Sequence, residues 1–256
     1  MNSTSSYIYK KLNFFDGIEL LDAKNETEYF PFHKHDSYCI SLITSGTEVL
    51  ENRENKFIIP ANTISITQAN EVHKNYSLFE FGYSYKTLYI NPELLTYLNN
   101  GEKINNLNRT ISNPHLFNTL NRLFENDNVN ARFFEENLKK ICFYNDNQPT
   151  KKRSKFSIDI LENLIEKDFQ KIISIEWLAN SFHLSKYHFI REFKKQTGIT
   201  PQAYITLFKL EKAKNDLKYK SIKETAYDYG FYDLSHFSNT FKKFYGTSPT
   251  QYIEAI

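Results

Sequence analysis

Two stretches near the C-terminus repeat one pattern and decide the fold of that half of the chain. Residues 184–205 read LSKYHFIREFKKQTGITPQAYI, and residues 232–253 read YDLSHFSNTFKKFYGTSPTQYI. Nine positions are identical at an offset of 48. Upstream, Ile175 matches Ile222 at an offset of 47, so the second copy carries one extra residue between its two helices. The chain therefore contains two copies of one supersecondary unit.

Each copy predicts two short helices joined by a tight turn. In the first copy Gly198 ends the longer helix, because Gly tolerates the left-handed conformation past a helix C-terminus. Thr200 and Pro201 then begin another helix as a cap residue and a first-turn proline. The pattern predicts helix-turn-helix units at about residues 174–197 and 221–245. The second helix of such a unit can enter the DNA major groove.

Helical spacing separates two faces of each second helix. Phe189 and Phe193 lie at i and i+4 and are predicted to be core, as are Phe237 and Phe241 in the second copy. The opposite faces combine cations with short polar groups, namely Tyr187, Arg191, Lys194 and Lys195, then Ser235, Asn239, Lys242 and Lys243. Cations bind phosphates without sequence preference, whereas Arg and Asn can bond two atoms of a base edge.

Arg191 is the only arginine after Arg153, in a segment that otherwise uses lysine. The planar guanidinium is the usual reader of guanine, and lysine replaces it poorly there. We favour a base contact for Arg191. The alternative is a surface arginine that pairs with Glu192 or another acid.

Charge divides the 256-residue chain into two parts, although its total is only +2. Residues 1–150 hold 14 basic and 18 acidic side chains, a net of −4, and residues 151–256 hold 18 and 12, a net of +6. Such a split predicts two domains with different partners, the basic one a candidate for nucleic acid. The polar, basic stretch NDNQPTKKRSK between them is typical of a linker, which we place at residues 147–156.

Composition excludes several classes of protein. Two cysteines, Cys39 and Cys142, are too few for a disulfide framework or a four-thiolate zinc site. Apolar runs stay short of the ~18 residues that a membrane span requires, and the N-terminus lacks the pattern of a secretory signal. We therefore expect a cytoplasmic protein with no membrane partner.

The first 110 residues predict an antiparallel barrel or sandwich. Short runs rich in β-branched and aromatic residues follow each other between turn signals. The predicted strands cover residues 38–44, 48–52, 56–59, 63–67 and 79–90. The spacing then becomes helical at residues 114–126 and 130–144. This helical hairpin, residues 111–146, either packs on the strands or forms a dimer surface.

Residues 174–253 closely resemble the AraC/XylS family of bacterial transcription regulators. The matching motifs are IEWLA at 175–179, LSKYHF at 184–189, FKKQTG at 193–198, SHFS at 235–238 and FKKFYG at 241–246. The resemblance implies a monomer that places two recognition helices in successive major-groove segments, about one helical turn apart. Position 239 is commonly Arg in the family and is Asn here, so the second unit is expected to read adenine or to contribute less.

The resemblance assigns the DNA-contacting side chains residue by residue. Base-reading candidates are Tyr187, Ile190, Arg191, Leu234, Ser235, Ser238 and Asn239. Together with the faces derived above, it predicts phosphate contacts by Lys186, Lys194, Lys195, Lys242 and Lys243.

The first half resembles the cupin-like sensor domain found in many of these regulators. The matching stretches include HKHDSY at 33–38, Ser45-Gly46, EVH at 71–73 and GYSY at 82–85. This resemblance implies an effector pocket inside a β-barrel and dimerisation through the helices that follow. The predicted pocket residues are His33, His35, Tyr38, His73 and Tyr85.

The histidine pattern leaves three interpretations open. His33, His35 and His73 have a spacing similar to that of metal ligands in catalytic cupins, and three imidazoles could hold Fe, Mn or Zn. The carboxylate expected a few residues later is absent, and Cys39 lies there instead. We favour pocket polar groups over structural hydrogen bonding, and either over metal. We therefore predict neither a metal nor another cofactor.

The predicted architecture is α+β: an N-terminal cupin-like antiparallel β-barrel with following helices, then an all-α domain at residues 157–256 with two helix-turn-helix units and a linker helix. We expect a sequence-specific regulator, not an enzyme, that binds double-stranded DNA and a small-molecule effector, forms a homodimer and associates with the bacterial nucleoid. RNA polymerase is a further candidate partner. Two alternatives remain open: a cupin metalloenzyme fused to a DNA-binding domain, and a ligand-independent regulator whose barrel only dimerises.

Overall fold

A computed structural model describes residues 5–15, 18–27, 30–125, 130–145, 157–167, 169 and 173–255. The chain divides into two compact units, residues 1–150 and 151–254. The first contains strands and helices, and the described part of the second is helical, so the α+β class is confirmed. The predicted linker at residues 147–156 lies outside the described residues.

In the described residues of the N-terminal unit, nine strands pair into two sheets. The six-stranded sheet has the order β1-β2-β8-β3-β6-β9, and the three-stranded sheet has the order β5-β4-β7. Among the described residues these ladders remain two separate sheets and do not close into one barrel. The strands are β1 (Ser6–Lys11), β2 (Glu19–Glu26), β3 (Tyr38–Ser45), β4 (Thr47–Asn52), β5 (Lys56–Pro60), β6 (Ile64–Thr67), β7 (His73–Ser77), β8 (Tyr83–Ile90) and β9 (Thr110–Ile111).

The strand predicted at residues 79–90 begins four residues late, at Tyr83. The preceding segment is a turn, in which the Gly82 amide donates to the Phe79 carbonyl at 3.1 Å. Gly82 has a φ of +81°, and a Cβ there would lie 2.8 Å from the Glu26 carbonyl oxygen, so the turn needs glycine. Strands β1, β2, β7 and β9 were not among the predicted strands.

The large sheet has two chemically different faces, because neighbouring side chains of a strand point to opposite sides. On β3, Ile40 and Leu42 belong to the apolar core, whereas Cys39 and Ser41 alternate with them. Cys39 pairs across the ladder with Tyr89, and Ser41 with Thr87. One face is therefore aliphatic, and the other combines aromatic and polar side chains.

Three helices pack on the aliphatic face: α1 (Pro92–Leu98), α2 (Pro114–Glu125) and α3 (Ala131–Cys142). Leu120, Leu123 and Leu138 are fully buried in the same core cluster as Ile40 and Leu42. Each such side chain stabilises the fold by about 1.5–3 kcal/mol. The interpretation that the hairpin packs on the strands is confirmed for its apolar faces.

The C-terminal unit contains seven helices within its described residues. They are α4 (Ile158–Glu166), α5 (Ile175–Ser181), α6 (Lys186–Thr197), α7 (Pro201–Asp216), α8 (Ile222–Asp228), α9 (Leu234–Tyr245) and α10 (Pro249–Ala255). Four residues separate α5 from α6 and five separate α8 from α9, which confirms the extra residue in the second copy. Helix α7 connects the two helix-turn-helix copies, and most of its surface is buried.

Candidate DNA interface and ligand site

The second helix of each repeat begins with a side-chain cap and ends at a left-handed glycine. Ser185 accepts the amide of His188 on α6, and Asp233 accepts the amide of His236 on α9. Gly198 has a φ of +86° and Gly246 a φ of +73°. These signals fix where both helices begin and end.

The predicted core faces are confirmed, since Phe189, Phe193, Phe237 and Phe241 are fully buried. The opposite faces project outward from the unit. Tyr187 is 84% exposed and Leu234 is 44% exposed. Of the remaining predicted base readers, Arg191, Ser235 and Asn239 are exposed, and Ile190 and Ser238 are half-buried.

The Arg191 guanidinium is not held by a hydrogen bond to its neighbour. Its Nε lies 4.0 Å from Oε1 of Glu192, beyond hydrogen-bond range, and its side chain is 73% exposed. This distance is that of an ion pair, which the surface-pairing interpretation expected, and the exposed guanidinium leaves the base contact as a proposal.

The predicted phosphate-contacting lysines differ in their surroundings. Lys194, Lys195, Lys242 and Lys243 are exposed in the last turns of α6 and α9. Lys186 instead forms a salt bridge with Glu176 on α5, with 2.6 Å between Nζ and Oε1. That hydrogen bond and the opposite charge raise the pKa of Lys186. Lys186 therefore joins the two helices of the first unit, a role that the sequence analysis did not assign.

Three buried histidines meet in the N-terminal unit. The ring of His33 lies 4.3 Å from that of His73 and 4.9 Å from that of His35, centroid to centroid. One ring nitrogen from each histidine lies within 4.8 Å of the others. The backbones of His33 and His73 also exchange two hydrogen bonds of 2.8 Å, which fix the relative position of these two residues.

Backbone carbonyls orient two of these rings. Nδ1 of His33 lies 2.8 Å from the Pro31 carbonyl, and Nδ1 of His73 lies 2.9 Å from the Glu71 carbonyl. Burial, and then the neighbouring imidazole, lower the pKa of both His33 and His73 to about 3. Both rings are neutral near pH 7, with Nδ1–H as the donor and a lone pair on Nε2.

A half-buried ion pair supports the segment that carries His73. Arg109 bonds both carboxylate oxygens of Glu71, with Nη2 at 2.7 Å from Oε1. Asn52 donates to the same carboxylate at 2.7 Å. Two parallel N–H···O bonds hold a carboxylate in one orientation, so Glu71 and the carbonyl that it presents to His73 are fixed in place.

The five predicted pocket residues do not all share one site. Tyr38 lies in the aliphatic core, and its hydroxyl donates to the Ile104 carbonyl at 3.1 Å. It therefore faces away from the polar side of the sheet, because it alternates with Cys39. Tyr85 shares the polar side with Tyr89, whose ring lies 5.6 Å from that of His35. The structure brings the three histidines together, places Tyr85 on the same side of the sheet, and places Tyr38 on the opposite side.

Sequence reasoning missed Glu48 on β4. The residue is 3% exposed, and its Oε1 accepts a hydrogen bond of 2.6 Å from Asn75. Its Oε2 has no hydrogen-bond partner within the described part of the chain. Burial raises the pKa of Glu48, an effect that hydrogen bonds from Ser65 and Asn75 partly oppose. The only sequence signal was strand alternation. Glu48 and Leu50 lie two residues apart on β4, so their side chains point to the same, buried side of the strand.

Comparison with known proteins supports this description of both units. A model of the AraC-like ligand binding domain matches residues 16–138, and a model of the helix-turn-helix domain matches residues 178–255. The transcriptional activator RhaS of Mannheimia succiniciproducens is 30% identical over 93% of this chain and 96% of its own. The probable transcriptional regulator LumQ of Photobacterium leiognathi is 36% identical over 40% of this chain and 42% of its own.

Crystal structures of ToxT from Vibrio cholerae have the same fold. One, with 15% sequence identity, covers 98% of this chain and 97% of its own with a TM-score of 0.58. Another, with an unsaturated fatty acid bound, covers 100% and 97% with 16% identity and a TM-score of 0.57. Fold and matches together define a transcription regulator with a DNA-binding domain and a ligand-binding domain. The chain belongs to the AraC family of transcriptional regulators, as the sequence motifs indicated.

Within the described part of the chain, every helix is too short or too polar to cross a membrane.

Proposed function

We propose that this protein is a one-component regulator that binds double-stranded DNA through α6 and α9 and responds to a small-molecule effector bound by its N-terminal unit. The observation that carries the proposal is the repeated helix with an inward phenylalanine pair and an outward polar face. Arg191 and Asn239 occupy equivalent exposed positions on the two helices, and both side chain types recognise base edges in pairs of hydrogen bonds.

The affinity for DNA comes from a different set of side chains than the base readers. Lys194, Lys195, Lys242 and Lys243 lie one or two turns beyond the base readers, where cations meet phosphates flanking a groove. Because the unit carries a net charge of only +6 over residues 151–256, we infer that a few well-placed lysines dominate the salt dependence.

The interior of the N-terminal unit favours an effector with hydrogen-bonding groups. Among the described residues, one carboxyl oxygen of Glu48 has no hydrogen-bond partner. The rings of Tyr83 and Tyr85 stack beside each other at 5.1 Å. Burying such polar atoms against an alkyl chain would leave them unsatisfied, which costs about 1–3 kcal/mol each. We therefore propose an effector that carries hydroxyl or amino groups, in place of the fatty acid bound to ToxT.

We base proposals for further roles on the relatives. RhaS is named a transcriptional activator, and we propose activation here, with RNA polymerase as a partner. We also propose a homodimer formed through the outer faces of α2 and α3, a cytoplasmic location with nucleoid association, and no enzymatic activity.

Fluorescence anisotropy on a selected operator and a scrambled duplex of equal length tests the DNA claim. Wild type should prefer the operator by at least about 1,000-fold, the lower range for specific regulators. Equal affinity for the two duplexes would refute sequence-specific binding. A thermal-shift screen of polar metabolites tests the effector claim, because a ligand of the folded state raises the melting temperature. A compound that raises it should do so in wild type and not in Glu48→Leu.

A further inference from the structure

The geometry points to a divalent transition-metal site formed by His33, His35 and His73. The proposal differs from the expectation that these imidazoles contact an effector directly. It concerns the N-terminal unit alone and does not depend on DNA binding.

The three histidines are the only group of at least three metal-ligating side chains that converge in the described part of the chain. All three are buried, at 2–7% exposure, so they do not form a chance surface cluster. Imidazole nitrogens suit Zn²⁺, Cu²⁺, Fe²⁺ and Ni²⁺, whereas Mg²⁺ and Ca²⁺ require oxygen ligands. The donor set therefore selects transition metals.

The hydrogen bonds at Nδ1 of His33 and His73 leave Nε2, the other ring nitrogen, to bind a metal. Each Nδ1 is within hydrogen-bond distance of a backbone carbonyl, that of Pro31 or Glu71, so Nε2 is the remaining donor atom. Metal-bound histidines nearly always donate the other ring N–H in this way, which fixes ring orientation and tautomer. Hydrogen bonds to backbone carbonyls account for Nδ1 of His33 and His73 and do not explain why three buried imidazoles meet.

Distances allow the site to close around an ion. Zn–N bonds of ~2.0–2.1 Å place tetrahedral nitrogen ligands about 3.3 Å apart. The ring nitrogens lie within 4.8 Å of one another, so a contraction of about 1.5 Å suffices. His33 and His73 are already tied by paired backbone bonds, and the Arg109–Glu71 pair holds the segment before His73. Three protein ligands leave a fourth position, the arrangement found when a metal also binds water or a small molecule.

Metal content of the purified, tag-free full-length chain tests the proposal. Protein stripped with a chelator, exposed to Zn²⁺ and desalted should retain about one Zn²⁺ per chain. Co²⁺ should give visible absorption bands of nitrogen-ligated, low-coordinate cobalt. His35→Gln and His73→Gln should each weaken Zn²⁺ binding by more than ~100-fold, beyond the usual effect of removing an outer-shell partner. His115→Gln, which changes an exposed histidine on α2, should bind as wild type does.

Circular dichroism verifies that each variant is folded. If His73→Gln does not fold, the wild-type stoichiometry and His35→Gln still decide the question. Wild type that retains far less than one Zn²⁺ and shows no cobalt bands would overturn the proposal. Full retention by a folded His35→Gln variant would overturn it equally. Because the readout is metal content, failure of the metal-site proposal would leave the DNA-binding proposal unaffected.

Discussion

Lys186 on α6 and Glu176 on α5 form a 2.6 Å salt bridge between the two helices of the first helix-turn-helix unit. The positions that match them in the second copy hold Leu234 and Lys223, which cannot form this pair. The two units therefore share a phenylalanine core but differ in how their helices are tied at the surface. This difference separates Lys186 from the other cations on the recognition helices.

Neutralising Lys186 should affect DNA binding less than neutralising Lys194. A lysine that contacts one phosphate contributes about 0.9 to the slope of log K against log salt concentration. We expect Lys194→Gln to reduce the slope by about this amount and Lys186→Gln by clearly less, because Glu176 already engages its ammonium group. Glu176→Gln releases Lys186 and should restore a full phosphate contribution. Equal slopes for the two lysine variants would show that Lys186 reaches a phosphate despite Glu176.

Arg191→Ala should cost about 1–3 kcal/mol on the specific site and relax base choice at one position. Arg191→Lys should not restore the preference, since an ammonium group cannot form the paired hydrogen bonds of guanidinium. Affinity measured on duplexes that vary this position one base at a time checks both outcomes. A loss of the same size on every duplex would identify Arg191 as a phosphate contact.

Asp233→Ala should lower the free energy of unfolding of the C-terminal unit by about 0.5–2 kcal/mol, because it removes the side chain that caps α9. Asp233→Asn should recover most of this loss, since the amide oxygen can accept the same His236 amide. Chemical denaturation of the full chain, followed by circular dichroism, measures both variants. A destabilised Asn variant would mean that the charge of Asp233, not its cap, is what matters.

Glu48 should make the N-terminal unit less stable as pH rises. Burial raises the pKa of its carboxyl, so the folded state holds this proton more tightly than the unfolded chain does. The resulting stabilisation is complete below the unfolded pKa of about 4.3 and is lost as pH rises through the folded pKa. The side chain of Glu48→Gln does not titrate. As pH rises between those two pKa values, the free energy of unfolding of this variant relative to wild type should therefore increase, by at most about 1.4 kcal/mol per pH unit.

Thermal melts at several pH values between 4 and 8 compare that variant with Glu54→Gln, which changes an exposed carboxylate in the turn between β4 and β5. The control should track wild type across the range. A constant difference between Glu48→Gln and wild type would contradict the assignment.

Sequence predicted the C-terminal unit more completely than the N-terminal one, for a physical reason. Helix caps and stops are local, so Gly198, Gly246 and the repeated phenylalanines define helices and faces without tertiary information. Strand pairing is nonlocal. Nothing near Tyr38 shows which face of β3 meets the helices, so the family resemblance grouped Tyr38 with histidines that lie on the other side.

Contacts between side chains of different helices or strands could not be predicted from the sequence either. The Lys186–Glu176 bridge joins residues ten positions apart across a turn, and Glu48 meets Asn75 across 27 positions through strand pairing. The histidine cluster was partly predictable, because spacing suggested three nearby imidazoles. The carbonyls that orient two of them required the folded backbone.

Selection of bound fragments from a random DNA pool by the full-length protein tests the central claim most directly. Two recognition helices on one chain predict an enriched motif with two short conserved blocks, about 10–10.5 base pairs apart from centre to centre. One block should carry a guanine whose enrichment disappears with Arg191→Ala. A pool that remains random, or a motif that Arg191→Ala and Asn239→Ala both leave unchanged, would contradict the account.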